Sequence, residues 1–368
     1  MVLDWISLCL APGLGLTGFW RLVEHFGSPE RVLAAGQKEI LKVPGIQPRQ
    51  VGALACPEAL RRRGTTELEL LLKKGCFAVD FGDASYPGLL RQIADPPPVL
   101  FLRGRKELLP RSSLAIVGSR ASTAYGRRTA RSLAADLAPS LAIVSGMALG
   151  IDAEAHAGAL AAGGGTIAVL GCGLDVIYPM QNRRLYEQIG QSGLLVTEYP
   201  LGTTPDGFRF PARNRIIAGL SLGVLVVEAA RKSGSLITAQ MALDAGREIF
   251  AVPGQVDSFK SEGTHWLLKE GAKLVQSARD VLEELDLATV SASESGTAVG
   301  NNTSCPIDPE ALQLLTLIEP YPQGRQRLSC ESGLTAARLN ELLLLLELEG
   351  LIEMLPGDAV RRLCPGDM

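Results

Sequence analysis

Leu114-Ala115-Ile116-Val117-Gly118-Ser119-Arg120 sets the pattern for the middle of the chain. Four apolar residues suit a buried strand, and Gly-Ser-Arg at its end suits a loop whose backbone can approach an anion. The unit then repeats. Apolar runs at 141–144, 166–170, 194–196, 222–227 and 249–252 recur with helical stretches between them. Strand and helix alternating at this spacing predict an α/β core, a mostly parallel sheet covered on both faces. Right-handed crossovers bring the strand C-termini to one edge, where ligands of open α/β sheets bind.

The loops on that edge carry the candidate chemistry. The second strand ends in Ser145-Gly146-Met147-Ala148-Leu149-Gly150-Ile151-Asp152, ahead of a helix bearing His156, and the third ends in Gly171-Cys172-Gly173. The fourth leads through Glu198-Tyr199-Pro200 to Phe208-Arg209-Phe210-Pro211-Ala212-Arg213-Asn214-Arg215. The fifth ends at Glu228, before Lys232-Ser233-Gly234-Ser235 opens a helix. Small residues let N–H groups reach a phosphate, and helix N-termini add a favourable dipole. Ser119, Arg120, Ser145, Gly146, Arg213, Asn214, Arg215, Lys232, Ser233 and Ser235 therefore form a candidate polyanion site. Tyr178, Tyr199, Phe208 and Phe210 are candidate stacking surfaces, with Phe210 read rather as core. Glu228 is expected to organise arginines by pairing, and His156 to be structural. Arg127, Arg128 and Arg131 fall opposite the stripe Ala130, Leu133, Ala134 and Leu137, so they face solvent.

The totals bound what surrounds this core. The 368 residues allow two or three domains, and a formal net charge of -3 confines any polyanion site to a local patch. Cysteines 9, 56, 76, 172, 305, 330 and 364 show no CxxC spacing and read as reduced thiols of a cytoplasmic protein. No apolar run is long enough for a membrane span. Neither GxxxxGK[ST] nor GxGxxG follows the first strand, and His25, His156 and His265 lack metal-ligand spacing, so neither a metal nor a cofactor is expected. Ser233 and Ser235 lack an evident base partner, so no catalytic residue is assigned. Residues 1–70 read as short helices joined by Gly turns, and residues 76–285 as the sheet domain. A flexible linker is expected at 286–309 from its Ser, Gly and Asn content. Residues 310–368 read as three helices and a hairpin, a winged helix. Its third helix sets Arg338 against Glu341, Glu347 and Glu349, a poor surface for duplex phosphates, which suggests a protein-contact or regulatory module.

Taken in order, the motifs resemble the DNA-processing protein A (DprA/Smf) family. The matching pieces include Leu100-Phe101-Leu102-Arg103-Gly104, Val117-Gly118-Ser119-Arg120, Ser145 to Asp152, and Gly173-Leu174-Asp175-Val176-Ile177-Tyr178-Pro179. They continue with Phe210 to Ile217, Ser233 to Ala239, and Phe250-Ala251-Val252-Pro253-Gly254. The resemblance implies a Rossmann-like core with an N-terminal SAM/helix-hairpin-helix-like domain and a C-terminal winged helix. It also implies a cytoplasmic homodimer that binds single-stranded DNA and loads the RecA recombinase in transformation or recombination, without catalysis. Family roles carry over to Arg120, Ser145, Gly146, Arg213 and Arg215. Many members have a lysine after the Tyr-Pro of the third loop; here Met180 stands there, and Arg183 and Arg184 are candidates to replace its charge. Two other readings stand beside this one: a nucleotide phosphoribohydrolase-like enzyme, and a duplex-binding regulator using the winged helix.

Overall fold

A computed structural model describes residues 2–287, 309–319, 323–348, 351–355 and 359–362. Contacts divide the chain into two units, Met1–Ser293 and Glu294–Met368. The linker read at 286–309 falls almost wholly on residues outside those described. Among the described residues, no helix is long and apolar enough to cross a membrane.

The first unit opens with helices α1 (Val2–Cys9), α2 (Gly15–Phe26), α3 (Pro29–Ala34), α4 (Gln37–Ile40), α5 (Pro48–Leu54) and α6 (Pro57–Lys73). Gly13 and Gly45 take left-handed φ values in the turns between them, where a side chain would be strained. These helices enclose Leu8, Phe19, Leu22, Val32 and Ile40 in a core of their own. Their contact with the sheet is partly aromatic. Trp20 lies 4.7 Å from Phe81, centroid to centroid, and its indole N–H donates to the Pro96 carbonyl at 2.9 Å. Ile6 and Leu71 pack with Val99, Phe101 and Leu195 of the sheet.

The rest of this unit runs β1 (Cys76–Asp80), α7 (Gly88–Arg91), β2 (Val99–Gly104), β3 (Ser113–Val117), α8 (Ala124–Leu137), β4 (Ala142–Ser145) and α9 (Ile151–Ala161). It continues with β5 (Thr166–Val169), α10 (Arg183–Ser192), β6 (Leu194–Thr197), α11 (Arg209–Leu220), β7 (Gly223–Val226), α12 (Gly234–Asp244), β8 (Glu248–Ala251), α13 (Glu262–Lys269), β9 (Lys273–Leu274) and α14 (Ala278–Glu284). The strand order is β1-β2-β6-β5-β4-β3-β7-β8-β9. Every pair from β6 to β9 is parallel, whereas β2 is antiparallel to both β1 and β6. Period two along β3 explains the layering. Leu114 and Ile116 face α8 and α9, meeting Ala130, Leu133, Ala155 and Ala159. Ala115 and Val117 face the opposite layer, with Ile216, Leu220 and Ala239 of α11 and α12. The result is the expected Rossmann-like core.

The order of the strands decides where a ligand can sit. From β3 the chain moves outward through β4, β5 and β6, then returns to place β7 on the other side of β3. Loops after β3 and β7 consequently diverge to opposite faces and leave a crevice at the strand C-termini.

The second unit contains α15 (Pro309–Leu317), β10 (Gln323–Gly324), α16 (Arg325–Ser332), α17 (Ala336–Leu348), β11 (Ile352–Leu355) and β12 (Ala359–Arg362). Strand β12 lies between β10 and β11, antiparallel to both. Leu314, Leu328, Leu342, Leu346 and Val360 form its core, which gives the winged helix. The turn residues 356–358 of its hairpin lie outside those described.

Candidate nucleic-acid interface

The crevice is a cleft of about 730 Å³. Gly118, Ser119 and Arg120 line one side, and Lys232, Ser233, Gly234 and Ser235 line the other. Phe210, Arg213 and Asn214 enter from the first turns of α11. Arg120 and Lys232 are exposed, whereas Arg213 is 4% exposed. Ser233 is the N-cap of α12, and its hydroxyl lies 2.8 Å from that of Ser235. The α12 N-terminus thus presents its dipole and two hydroxyls to the cleft, an arrangement suited to phosphate oxygens.

Beside these cations stands an aromatic column. Phe210 and Tyr178 stack with centroids 5.3 Å apart and planes 27° apart, and the Arg120 guanidinium carbon lies 5.6 Å from the Phe210 centroid. Phe210 therefore corrects the expectation that it is core: it is half-buried on the cleft wall because α11 turns its first residues toward the strand ends. A smaller pocket of about 90 Å³ lies beneath it, bounded by Gly146, Met147, Gly171, Cys172, Tyr178 and Arg213 among others.

Arg213 is the floor of the site and a structural clamp at once. Its Nη1 donates to the Gly146 carbonyl at 2.7 Å and also to the Val169 carbonyl, joining the ends of β4 and β5. Its buried Nε has no partner among the described residues. Burial pulls the guanidinium down to about 10, with the Asp152 carboxylate opposing, so it stays cationic at neutral pH. Asp152 accepts from the Gly146 and Ala148 N–H groups at 3.1 and 3.3 Å. Burial raises its pKa, and Arg213 offsets part of that rise. Gly146 is required here because an added Cβ would lie 2.5 Å from the Arg213 guanidinium.

His156, one turn beyond Asp152, is structural. Thr166 spends its hydroxyl proton on the Ile143 carbonyl at 2.8 Å, so it can only accept from His156 Nδ1 at 2.7 Å. That fixes the Nδ1–H tautomer. Nε2 is left buried without a partner among the described residues, and burial drives the imidazole down to about 3, with Arg213 adding to the shift.

Several expected members stand elsewhere. The Arg215 Nη2 is paired with Glu198 at 2.6 Å, both largely buried, which ties α11 to the end of β6 instead of lining the cleft. Ser145 is fully buried and donates to the Ile116 carbonyl at 2.7 Å, and Gly146 has given its N–H to Asp152. Neither has that donor free for a phosphate. Arg183 and Arg184 are exposed on the first turn of α10 and do not line the cleft; Arg183 pairs with Glu187 at 3.0 Å. Among the described residues, Glu228 makes no hydrogen bond to an arginine. Its carboxylate accepts from the N–H and hydroxyl of Thr123, fixing the start of α8.

The sequence of this fold and site matches known proteins closely. The family model for DNA recombination-mediator protein A matches residues 78–286, and that for the DprA winged helix domain matches residues 301–358. A Synechocystis protein named Smf is 32% identical over 393 residues, covering 97% of this chain and 98% of its own. The chain belongs to the DprA/Smf family. DNA processing protein DprA of Streptococcus pneumoniae is 50% identical over 204 residues, 55% of this chain and 72% of that one. An X-ray structure of the S. pneumoniae protein superposes with TM-score 0.66 at 39% identity, over 76% of this chain and 97% of that one. DNA processing protein A from Helicobacter pylori, described for its single-stranded DNA binding mode, gives TM-score 0.52 at 33% identity, over 56% of this chain and 95% of its own.

Sequence reasoning did not single out Asp206, Ile237 or Thr238, which also line the cleft. Thr238 is one helical turn beyond Gly234, so recognising Gly234 as the first residue of α12 would have found it. Asp206 carried no signal, since its loop has neither strand nor helix periodicity.

Proposed function

We propose that this DprA/Smf chain binds single-stranded DNA in the cleft between the β3 and β7 loops. Phosphates meet Arg120, Lys232 and the N-terminus of α12, while a base stacks on the Phe210–Tyr178 pair. The observation that carries this reading is the aromatic column standing directly beside the cations. Stacking asks for an exposed base face, which an intact duplex keeps covered, and it tolerates any sequence. The reading is supported by family membership and by the single-stranded DNA binding of the H. pylori relative.

On the same reading, the chain is a cytoplasmic homodimer that passes the strand to RecA during transformation or recombination, and it catalyses no reaction. The domains act as a helical module at 1–70, the DNA-binding core at 76–285, a linker at 286–309 and a winged helix at 310–368. The winged helix serves protein contact or regulation: Arg338, the basic residue of α17, is held by Glu310 and Glu341 at 2.9 Å each.

The decisive experiment titrates salt against the affinity for a single strand and for a duplex of the same length. Tighter single-strand binding is expected, with a log–log slope near −0.7 per phosphate contacted. Equal or tighter duplex binding would overturn the reading. For the RecA step, RecA assembly on single strands is followed with and without the chain; faster assembly with it is expected.

A further inference from the structure

One exposed surface outside the cleft combines aromatic and basic side chains. Residues 252–261 lead from β8 to α13 and leave Val256 92% and Phe259 64% exposed. The Lys260 ammonium lies 5.9 Å from the Phe259 centroid and donates to the Ala121 carbonyl at 2.5 Å, one residue beyond Arg120. Tyr125, 46% exposed at the start of α8, donates its hydroxyl to the Pro253 carbonyl at 3.1 Å. The Lys260 carbonyl accepts from the Ala229 N–H at 2.9 Å, just before the residues that form the other cleft wall. This loop is therefore knitted to both walls. Arg127 and Arg128 are exposed on α8 and Arg231 is exposed next to Lys232, against Asp257 and Glu262 in and beside the loop.

We infer that Tyr125 and Phe259 form an outer shelf that stacks nucleobases of the strand as it leaves the cleft, with Lys260 and the neighbouring arginines near its phosphates. The inference rests on the single-strand reading of the cleft and extends it to flanking nucleotides. Three observations select this occupant. The shelf is continuous with the cleft through Ala121 and Ala229, its cations complement a polyanion, and its aromatic rings offer the sequence-tolerant faces that single strands use. A second copy docked symmetrically through this surface would set these cations close to their own equivalents.

The test compares labelled oligo-dT of about 4 and about 20 nucleotides, within and beyond the usual span of one binding surface. Phe259→Ala and Tyr125→Ala should each weaken the long strand about five- to tenfold, the usual scale for one stacked base, and leave the short strand unchanged. Phe259→Trp and Tyr125→Phe should retain long-strand affinity. Strands carrying 5-iodouracil should cross-link to peptides containing Tyr125 or Phe259. Long-strand affinity equal to the parent in both alanine variants, or equal losses on the two strands, would overturn the shelf. So would a long-strand loss explained by a change in sedimenting species, because the surface would then join copies of the chain. Failure of the cleft reading has its own signature: Arg120→Ala and Lys232→Ala would bind both strands like the parent.

Discussion

At the scale of single residues, the cleft combines exposed cations with a buried one that holds strand ends together. Arg120 and Lys232 are exposed and line the cleft, so Arg120→Ala and Lys232→Ala should fold normally. Each should weaken single-strand binding and lower the magnitude of the salt slope by roughly 0.7, as read in a salt titration. Arg213→Ala should behave differently. It removes the clamp on two strand ends and leaves the buried Asp152 without its cation, so a loss of about 3 kcal/mol or more is expected in urea unfolding. Its effect on DNA binding is therefore readable only alongside a stability measurement. His156 gives a pH signature. Its folded pKa of about 3 lies below the ordinary histidine value of 6.5, so the unfolded chain binds the extra proton between those values. Stability is then fully present above pH 6.5 and falls as the pH drops through that window, by up to about 1.4 kcal/mol per unit. The raised pKa of Asp152 works in the opposite sense. Comparing the parent with His156→Gln isolates the imidazole: the variant should lose less stability between pH 7 and pH 5.

At the scale of elements, the loop after β4 shows how backbone and side chain share the work. Asp152 from α9 takes two N–H groups of the loop, and Asn182 donates to the Met147 carbonyl at 2.9 Å. Gly146→Ala would push the Arg213 guanidinium from this arrangement, and it should cost stability and single-strand affinity together. Unchanged thermal unfolding and unchanged binding would count against the clamp. The long strands were legible in the sequence because buried parallel strands are runs of apolar residues; β3 to β8 all fall on such runs. Lys273–Leu274 was not legible, since two residues carry no period. The antiparallel seat of β2 between β1 and β6 was hidden as well, because Val99–Gly104 reads alike in either direction. Among the site residues, strand-end position found Arg120 and Lys232, but spacing could not say which way each side chain of α11 turns. Arg213 goes down into the strand ends, Arg215 goes to Glu198, and Phe210 faces the cleft, all within two turns of one helix.

At the scale of the whole molecule, the cleft belongs entirely to the first of two compact units. A chain ending at Ser293 should therefore keep its preference for single strands, measured against the full chain in the same salt; loss of all binding would move the site to the winged helix. Parallel pairing of β3 with β7 also sets an order of events. These neighbours are separated by all the chain between residues 118 and 222, and loop closure over such a span is a late, entropically costly step. Arg120 and Lys232 face one another across the cleft only after β4, β5 and β6 have been laid down and the chain has come back. A polypeptide still emerging from the ribosome, with β7 and α12 not yet made, has the first wall without the second. On the proposed reading, the ability to hold a single strand appears at the end of core assembly, and strand binding should then report how much of a refolding population has completed its sheet.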